Sequence, residues 1–483
     1  MWLRIVSSAA CVTALSGIAL SQPPSASDTL VGERVITIKP AVELKVLNPQ
    51  TRQTEVTGTV QHPLLKVESV QGGYLWVRTG GAAGWIPRAD VVPLDSAVAY
   101  FSDKIDKDVK DRDAYLRRAV VWYAKGEYSS AIRDFTEAIH LDAGDAAAFN
   151  DRGAARYANH ELELALTDYS EAVRLDPAHA AEYRYNRGVV YVQQGNLERA
   201  VEDFTAAIEL DPNYVWAYNN RGHAWFKQRQ YDKALADFDA TLRLASNDAY
   251  ALANRGRVWA AKQDYAKAQS DFDQALRLDP HNALAYRGRG EMWLDQRHYD
   301  RALADFEKAL ENGPRTARLY LDEGIARTGL RDYGPALADL AVALRLDPDN
   351  ADIYTRRADA WYGRGEYEAA LADYNEAIRL DAEAAGAYAG RALLWATCPD
   401  PHLREGRRAV DSAMQACQLS DWRRPEWIDT LALAYAETGR FDEALKWLDK
   451  ALESPAFPSH KLADARRRRQ LYAARRGTSP TGG

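Results

Sequence analysis

The chain has 483 residues, too many for a single hydrophobic core, and its 47% hydrophobic and 27% charged residues are ordinary for a folded protein. A formal net charge of −7 gives no general field that would attract nucleic acid, so we expect no nucleic-acid partner. Three cysteines are too few for a disulfide framework, and no cluster of Cys, His and carboxylates has metal-ligand spacing, so we expect no metal or other cofactor.

The amino terminus has the pattern of a signal peptide. Arg4 precedes an apolar run from Ile5 to Leu20, and Ala19 and Ser21 supply small residues before a cleavage site. We predict a signal peptide over 1–21 and a flexible leader over 22–29, which places the protein in the periplasm, the envelope or the exterior of a bacterium. A retained membrane anchor is the alternative. No span is expected after removal of the signal.

Residues 30–94 have the pattern of a small β domain. β-Branched segments, separated by Gly, Asn and Gln, predict short strands. The predicted strands are Arg34–Ile38, Val42–Val46, Leu64–Val70, Tyr74–Arg78 and Ala83–Pro87, followed by Val91 and Val92. Their number and length suit a small barrel. The segment Gly84-Trp85-Ile86-Pro87 resembles the last strands of bacterial SH3-like domains.

Three aromatic residues of this domain have two interpretations. The period of a strand puts Tyr74 and Trp76 on one face and Leu75 and Val77 on the other. Together with Trp85, the first two could form an exposed groove for a peptide or a cell-wall component. Alternatively, some of these rings fill the core of the barrel, which is the interpretation we favour.

A linker helix is predicted over 95–111, and a repeat with a period of 34 residues follows over 112–458. Gly188, Gly222, Gly256 and Gly290 are spaced 34 residues apart, and each begins a similar pattern of alanines and large rings. We place ten repeats at 112–145, 146–180, 181–214, 215–248, 249–282, 283–316, 317–350, 351–384, 385–424 and 425–454. We expect the small residues to lie where two helices touch, beside buried rings such as Trp225 and Phe238.

This pattern resembles the tetratricopeptide repeat, a helix–turn–helix unit. The resemblance implies a mostly α protein: an α-solenoid in which helix pairs stack into a right-handed superhelix behind the β domain. A polar helix over 459–476 would cap the stack, and the tail at 477–483 should be disordered. Repeats nine and ten, with the insert Thr397-Cys398-Pro399-Asp400-Pro401, resemble the terminal units of secreted planctomycete-type bacterial repeat proteins.

Two polar series accompany the small residues, and we expect them to form structural ion pairs between helices rather than a catalytic site. The arginine series is Arg118, Arg152, Arg187, Arg221, Arg255, Arg289, Arg357 and Arg391, and the aspartate series is Asp134, Asp168, Asp203, Asp237, Asp271, Asp305, Asp339 and Asp373. Repeat seven has Glu323 in place of the arginine, which predicts a weaker point in the stack.

The resemblance also implies where a ligand would bind, because in this family the first helix of each repeat lines the concave face. We therefore expect exposed peptide-binding residues on the first helices of repeats three to five. They are Tyr185, Asn186, Trp216, Asn219, Asn220, His223, Phe226, Tyr250, Asn254 and Arg257. An asparagine has both a donor and an acceptor and can hold a peptide backbone. The alternative is that these residues only solvate the face.

The carboxy-terminal region suggests two further features. Cys398 and Cys417 should lie near opposite ends of the second helix of repeat nine, too far apart for a disulfide, so we expect two buried thiols. The arginine run Arg466–Arg469 suits a polar cap and could also bind an anionic membrane or an acidic partner.

The sequence thus predicts a non-catalytic scaffold, exported to the envelope, that binds a protein or peptide partner in its concave groove. No catalytic residues are predicted. Two alternatives stay open. The chain could be a targeting or regulatory subunit of a cell-wall or hydrolytic enzyme complex, or it could be a purely structural spacer.

Overall fold

The structure, a computed structural model, describes residues 30–39, 41–47, 54–60, 62–79 and 82–475. The predicted signal peptide, leader and disordered tail lie outside the described residues. The chain forms two compact units, one ending at Ser246 and the other beginning at Asn247. The first unit contains the β domain and four helix pairs, and the second contains six helix pairs and a final helix.

The β domain is a sheet in which all paired strands are antiparallel, in the order β3-β2-β6-β5-β4-β1-β7. Its strands are β1 Arg34–Thr37, β2 Glu43–Leu47, β3 Thr54–Thr59, β4 Leu64–Gln71, β5 Tyr74–Thr79, β6 Ala82–Pro87 and β7 Val91–Pro93. The sequence did not predict β3. This strand pairs with β2 at the end of the sheet, and its Val56 is 55% exposed, so it lacks the alternation of apolar and polar residues that marks a half-buried strand.

Aliphatic side chains build the core of this domain. The buried cluster includes Val35, Leu44, Val67, Leu75 and Ile86, and within the described part of the domain it contains no aromatic ring. The interpretation that some of the rings of Tyr74, Trp76 and Trp85 fill the core is therefore wrong. Aliphatic side chains fill the core on one face of the sheet, and the rings lie on the other face.

The β domain is fixed to the first helices. Helix α1, Leu94–Lys107, begins directly after β7, and Ile36 of the sheet packs with Phe101 of this helix in one buried cluster. Arg117, on the following helix, donates through Nη1 to the carbonyl and the hydroxyl of Thr37 at 2.7 and 2.8 Å. A buried guanidinium thus closes the junction, and its pKa is lowered by burial.

Ten helix pairs follow α1. In the first unit they are α2 Arg112–Ala124, α3 Tyr128–Leu141, α4 Ala146–Ala158, α5 Leu162–Leu175, α6 Ala181–Gln193, α7 Leu197–Leu210, α8 Val215–Lys227 and α9 Tyr231–Leu244. In the second unit they are α10 Ala249–Ala261, α11 Tyr265–Leu278, α12 Ala283–Asp295, α13 Tyr299–Asn312, α14 Ala317–Gly329, α15 Tyr333–Leu346, α16 Ala351–Arg364, α17 Tyr367–Leu380, α18 Ala385–Thr397, α19 Gly406–Leu419, α20 Pro425–Glu437 and α21 Phe441–Leu452. Helix α22, Leu462–Arg475, ends the described chain.

Within a pair, a small residue of the first helix meets a ring of the second. A Cβ atom at Gly222 would lie 3.0 Å from the ring of Phe238, so the close approach of α8 to α9 favours glycine at this position. Phe238 is buried and Ala234 beside it is fully buried. Trp225, which we expected to be buried, is only half-buried, and the ammonium group of Lys233 lies 4.3 Å from its ring centre. The ring that closes this pair is therefore Phe238.

The predicted ion pairs between helices are confirmed in seven repeats, and several of the arginines also reach a third helix. Arg187 of α6 donates through Nε and Nη2 to Asp203 of α7 at 2.8 and 2.7 Å. Its Nη1 donates to Ser170 of α5 at 3.0 Å, so one guanidinium joins three helices. We call this arrangement the arginine tie. The same two-pronged pairing with aspartate occurs at Arg118, Arg152, Arg221, Arg255, Arg289 and Arg357.

Repeat seven replaces the tie with a different arrangement. Arg327, one turn after Glu323 on α14, contacts that carboxylate at 2.6 Å, Asp339 at 3.3 Å and Glu307 at 3.2 Å. Three carboxylates thus surround one guanidinium. Burial, with the charge of Asp339, raises the pKa of Glu323 to about 7, and burial raises the pKa of Asp339 to about 6.

The carboxy-terminal expectations have mixed outcomes. Cys398 and Cys417 are buried free thiols, as predicted, although Cys398 ends α18 rather than lying on α19. Arg468 donates to both carboxylate oxygens of Asp429 on α20 at 2.7 and 2.8 Å, and Arg469 pairs with Asp449 on α21. Half of the run Arg466–Arg469 therefore anchors α22 to its neighbours, which leaves a weaker basis for a separate anionic partner.

Glu323→Gln should stabilise the protein near neutral pH. Because folding raises the pKa of Glu323, its contribution to stability is present below the ordinary glutamate pKa and is lost as the pH rises through about 7. We expect the variant to gain about 1–2 kcal/mol of unfolding free energy at about pH 8 and almost nothing at about pH 5, by denaturant titration. The matched control, Asp373→Asn, breaks the tie to Arg357 and should lose stability at the higher pH. Equal effects of Glu323→Gln at both pH values would contradict the assignment.

Candidate ligand-binding face

The candidate site consists of repeated positions on the first helices. Relative to the small residue of each repeat, they lie six, three and two residues before it and one residue after it. On α8 these positions are Trp216, Asn219, Asn220 and His223. Residues at these spacings share one side of a helix. We call this set of positions the first-helix face.

On α8 the predicted residues remain partly accessible. Trp216, Asn219, Asn220 and His223 are half-buried, as is Phe226 at the end of the helix. The ring of Phe226 lies 6.0 Å from that of Tyr231, which begins α9. The buried residues of α8, which are Ala217, Gly222 and Ala224, lie at other positions of the helix. The small residues of α8 therefore pack in the interior, and the polar and aromatic residues named above stay partly accessible to solvent.

On α6 the expectation of exposure is wrong for Tyr185 and Asn186, which are both fully buried. The Asn186 amide donates to Oδ1 of Asn150 on α4 at 2.9 Å. The Tyr185 ring lies 5.8 Å from Phe204 and 5.1 Å from Tyr214, between centroids. Neighbouring side chains cover Tyr185 and Asn186 here. Both residues therefore stabilise the fold and are not available to a ligand.

The asparagine of α8 reaches back to the same cluster. The amide of Asn220 donates to the hydroxyl oxygen of Tyr185 at 2.8 Å. Asn220 thus has one polar group directed to the protein, and its half-buried position leaves the rest of the amide accessible. Of the predicted asparagines on the first unit, Asn219 and Asn220 are the accessible ones.

Three predicted residues belong to α10, in the second unit. Tyr250 is 50% exposed, but Asn254 is 9% exposed and so, contrary to expectation, buried. Arg257 is half-buried, and burial lowers its pKa, an effect that Glu291 opposes and Arg287 strengthens. These charges indicate that Arg257 belongs to a larger cluster.

The sequence prediction missed this cluster, which continues along the first helices of repeats six and seven. On α12, Arg287 lies 3.4 Å from Glu291, and on α14, Arg318 lies 3.0 Å from Asp322. Asp322 is almost completely buried, and burial raises its pKa to about 7. All four residues occupy the positions that define the first-helix face, so continuing the register beyond repeat five would have found them.

An acidic position was missed in the first unit. Glu182 of α6 is half-buried, and burial, with the charge of Asp151 on α4, raises its pKa to about 7. It occupies the same position in repeat three as Trp216 does in repeat four. The first-helix face of this unit therefore combines a carboxyl group that titrates near neutrality with asparagines and rings.

The β domain carries its aromatic residues on the outer face of the sheet. Trp76 and Trp85 are partners across β5 and β6, and their rings meet edge to face with centroids 5.3 Å apart. Tyr74, two residues before Trp76, is 51% exposed. The prediction that Tyr74 and Trp76 share a face, with Leu75 and Val77 on the other, is confirmed.

Within the described ranges, no group of His, Cys, Asp and Glu side chains is arranged to hold a metal ion. No helix of the described chain combines the length and the apolar character that crossing a membrane requires.

Asn186→Ala should destabilise the protein without touching an accessible surface. The substitution removes the donor to Asn150 inside the first unit, which should cost about 1–3 kcal/mol in unfolding free energy. Gln193→Ala, at the exposed end of the same helix, is the control and should change stability by less than about 0.5 kcal/mol. Denaturant unfolding of both variants compares them directly, and equal losses would contradict the structural role of Asn186.

Models of the tetratricopeptide repeat family match residues 94–147, 188–229, 215–248, 261–317, 321–393 and 426–454, together more than half of the chain. A search of curated proteins found none that matches. Among solved structures, a tetratricopeptide repeat protein from Parabacteroides merdae is 20% identical, with a TM-score of 0.45, over 52% of this chain and 98% of its own.

Two other solved structures are similar over different shares of the chain. YrrB, described as a TPR protein with an unusual peptide-binding site, is 24% identical over 38% of this chain and 95% of its own, with a TM-score of 0.32. Yeast Tom70 is 17% identical over 79% of this chain and 92% of its own, with a TM-score of 0.37. The family matches and the ten helix pairs lead to one conclusion: the chain belongs to the tetratricopeptide repeat proteins.

Proposed function

We propose that this protein is a non-catalytic interaction scaffold that binds a peptide or a partner's helix on the first-helix face of α8. The observation that carries the proposal is the separation of buried from accessible positions on α8. Its small residues are buried, whereas Trp216, Asn219 and His223 stay partly accessible on one side. Tetratricopeptide repeat proteins bind protein or peptide partners, and this is the side on which the chain offers both rings and polar groups.

The chemistry of this face suits an extended peptide. Asparagine amides can donate to and accept from a peptide backbone, and partly accessible rings add apolar contact. Glu182, whose pKa lies near neutrality, adds a site where a cationic side chain of the ligand would favour the ionised carboxylate. A ligand that carries Lys or Arg therefore fits better than an acidic one.

Export is part of the proposal. Arg4 followed by the apolar run Ile5–Leu20 has the order of a signal peptide, which favours a place in the periplasm or envelope. The aromatic face of the β domain, with Trp76 and Trp85, favours a second contact in the same molecule. Two weak contacts on one chain raise avidity without strengthening either one.

A photo-crosslinking residue at position 223 tests the proposal directly. In the native envelope, the variant that replaces His223 should give a discrete crosslinked product identified by mass spectrometry. A variant that replaces Glu209, exposed on α7, is the matched control and should give none of that product. Equal crosslinking from both positions, or none from position 223, would favour a spacer or an enzyme-complex subunit that binds elsewhere.

Combined Asn219→Ala and His223→Ala should then weaken binding of the crosslinked partner about tenfold, a loss of about 1.4 kcal/mol. The pair Glu202→Ala and Glu209→Ala, both on the exposed side of α7, should leave affinity unchanged. Calorimetry with the purified partner measures both. Loss of affinity in both double variants would indicate a general electrostatic effect and contradict a site on α8.

A further inference from the structure

Repeat nine contains an arginine tie that lacks its carboxylate. Arg391 of α18 occupies the arginine position of the tie, but the residue of α19 that corresponds to the aspartate is Ser412. Arg391 donates through Nη1 to Asn375 of α17 at 2.8 Å and through Nε to the Ser412 hydroxyl at 3.3 Å. Among the residues that the structure describes, Nη2 of Arg391 has no hydrogen-bond acceptor.

The neighbouring repeat shows what is missing. Arg357 donates through Nε and Nη2 to the two oxygens of Asp373, both at 2.7 Å. Ser412 cannot replace that carboxylate, because it carries no charge and its proton is donated to the carbonyl of Tyr388 at 3.0 Å. Repeat nine therefore keeps the arginine of the recurring pair and lacks the aspartate.

The guanidinium is nevertheless held in place. Its carbon lies 5.3 Å from the centre of the Tyr388 ring and 4.7 Å from that of Trp395, which is 8% exposed. These two cation–π contacts help to hold the guanidinium in place. Because Nη1 donates to Asn375, the edge of the guanidinium that carries Nε and Nη2 is oriented before any ligand binds.

This edge lines an open depression between α18 and α19. Arg408 and Gln415 contribute to its wall, and the exposed carboxylate of Asp411 lies at its rim. Arg408 also pairs with Glu405 at 2.9 Å. Burial and the charge of Arg408 lower the pKa of Arg391, whereas the hydrogen bond to Asp373 raises that of Arg357. The site thus contains a partly desolvated cation that an anion would stabilise.

We propose that this depression is a carboxylate-binding site. A ligand carboxylate takes the place of the aspartate that the other ties contain, and it accepts hydrogen bonds from Nη2 and Nε of Arg391. In seven other repeats the corresponding arginine binds a carboxylate with the same two-pronged geometry, which favours a carboxylate ligand over a phosphate dianion. Asp411 at the rim further disfavours a second negative charge. The site lies in the second unit and uses no residue of the first-helix face, so it goes beyond the proposed function.

Arginine modification of the full-length protein tests the site. Phenylglyoxal, followed by mass spectrometry, should modify Arg391 faster than the fully paired Arg357. Acetate should slow modification of Arg391 more than chloride at equal ionic strength, while the exposed Arg407 should respond equally to both salts. An Arg391 that reacts as slowly as Arg357, or that acetate protects no better than chloride, overturns the proposal. Protection by phosphate as strong as that by acetate overturns the choice of carboxylate.

Two variants sharpen the result. Ser412→Asp supplies the carboxylate from the chain itself and should protect Arg391 without acetate and abolish the acetate effect. Ser412→Ala keeps the site open and should retain protection by acetate, so the test stands even if the first variant folds poorly. A capped glutamate peptide protecting at lower concentration than acetate identifies an acidic protein side chain as the source, and equal concentrations identify a small acid. Acetate protection undiminished in folded Ser412→Asp would overturn the proposal.

Discussion

The arginine tie is the interaction on which the rest of the structure depends. A half-buried guanidinium such as Arg187 joins three helices, because two of its nitrogens reach Asp203 and a third reaches Ser170. Removing one partner of such a pair leaves an uncompensated charge in a poorly solvated place, which is costly. In the seven repeats that contain it, the tie therefore fixes the rotation of the first helix about its axis. That rotation in turn decides which side chains pack and which form the first-helix face.

Two departures from the tie, in repeats seven and nine, follow from the same constraint. In repeat seven the chain replaces the missing arginine with Arg327 one turn later and gathers three carboxylates around it. Burial, together with the neighbouring carboxylates, raises the pKa values of Glu323 and Asp339. In repeat nine the arginine remains and the carboxylate is lost, with no replacement from the described chain. One departure changes how stability responds to pH, and the other leaves a cation oriented for a ligand.

Much of the fold follows from the sequence, because the small residues, rings and charges recur with a period that sets which helices touch. Burial along the first-helix face does not follow from it. Asn186 and Asn220 occupy equivalent positions, yet the first is buried against Asn150 and the second is half-buried above Tyr185. The difference arises from the residue on the preceding first helix, which a single-repeat pattern does not encode. The sequence did not predict the edge strand β3, because its exposed residues lack the alternation of apolar and polar residues that marks a half-buried strand.

A double-mutant cycle on Arg187 and Asp203 tests the role of the tie most directly. The single variants Arg187→Gln and Asp203→Asn and the combined variant, unfolded with denaturant, give the coupling free energy between the two side chains. If the tie holds the helices as described, the coupling should be about 1–3 kcal/mol, since the residues share a two-pronged hydrogen bond. A cycle on Arg391 and Ser412, which share one long hydrogen bond, should give less than about 0.5 kcal/mol. A coupling near zero for Arg187 and Asp203 would contradict the account.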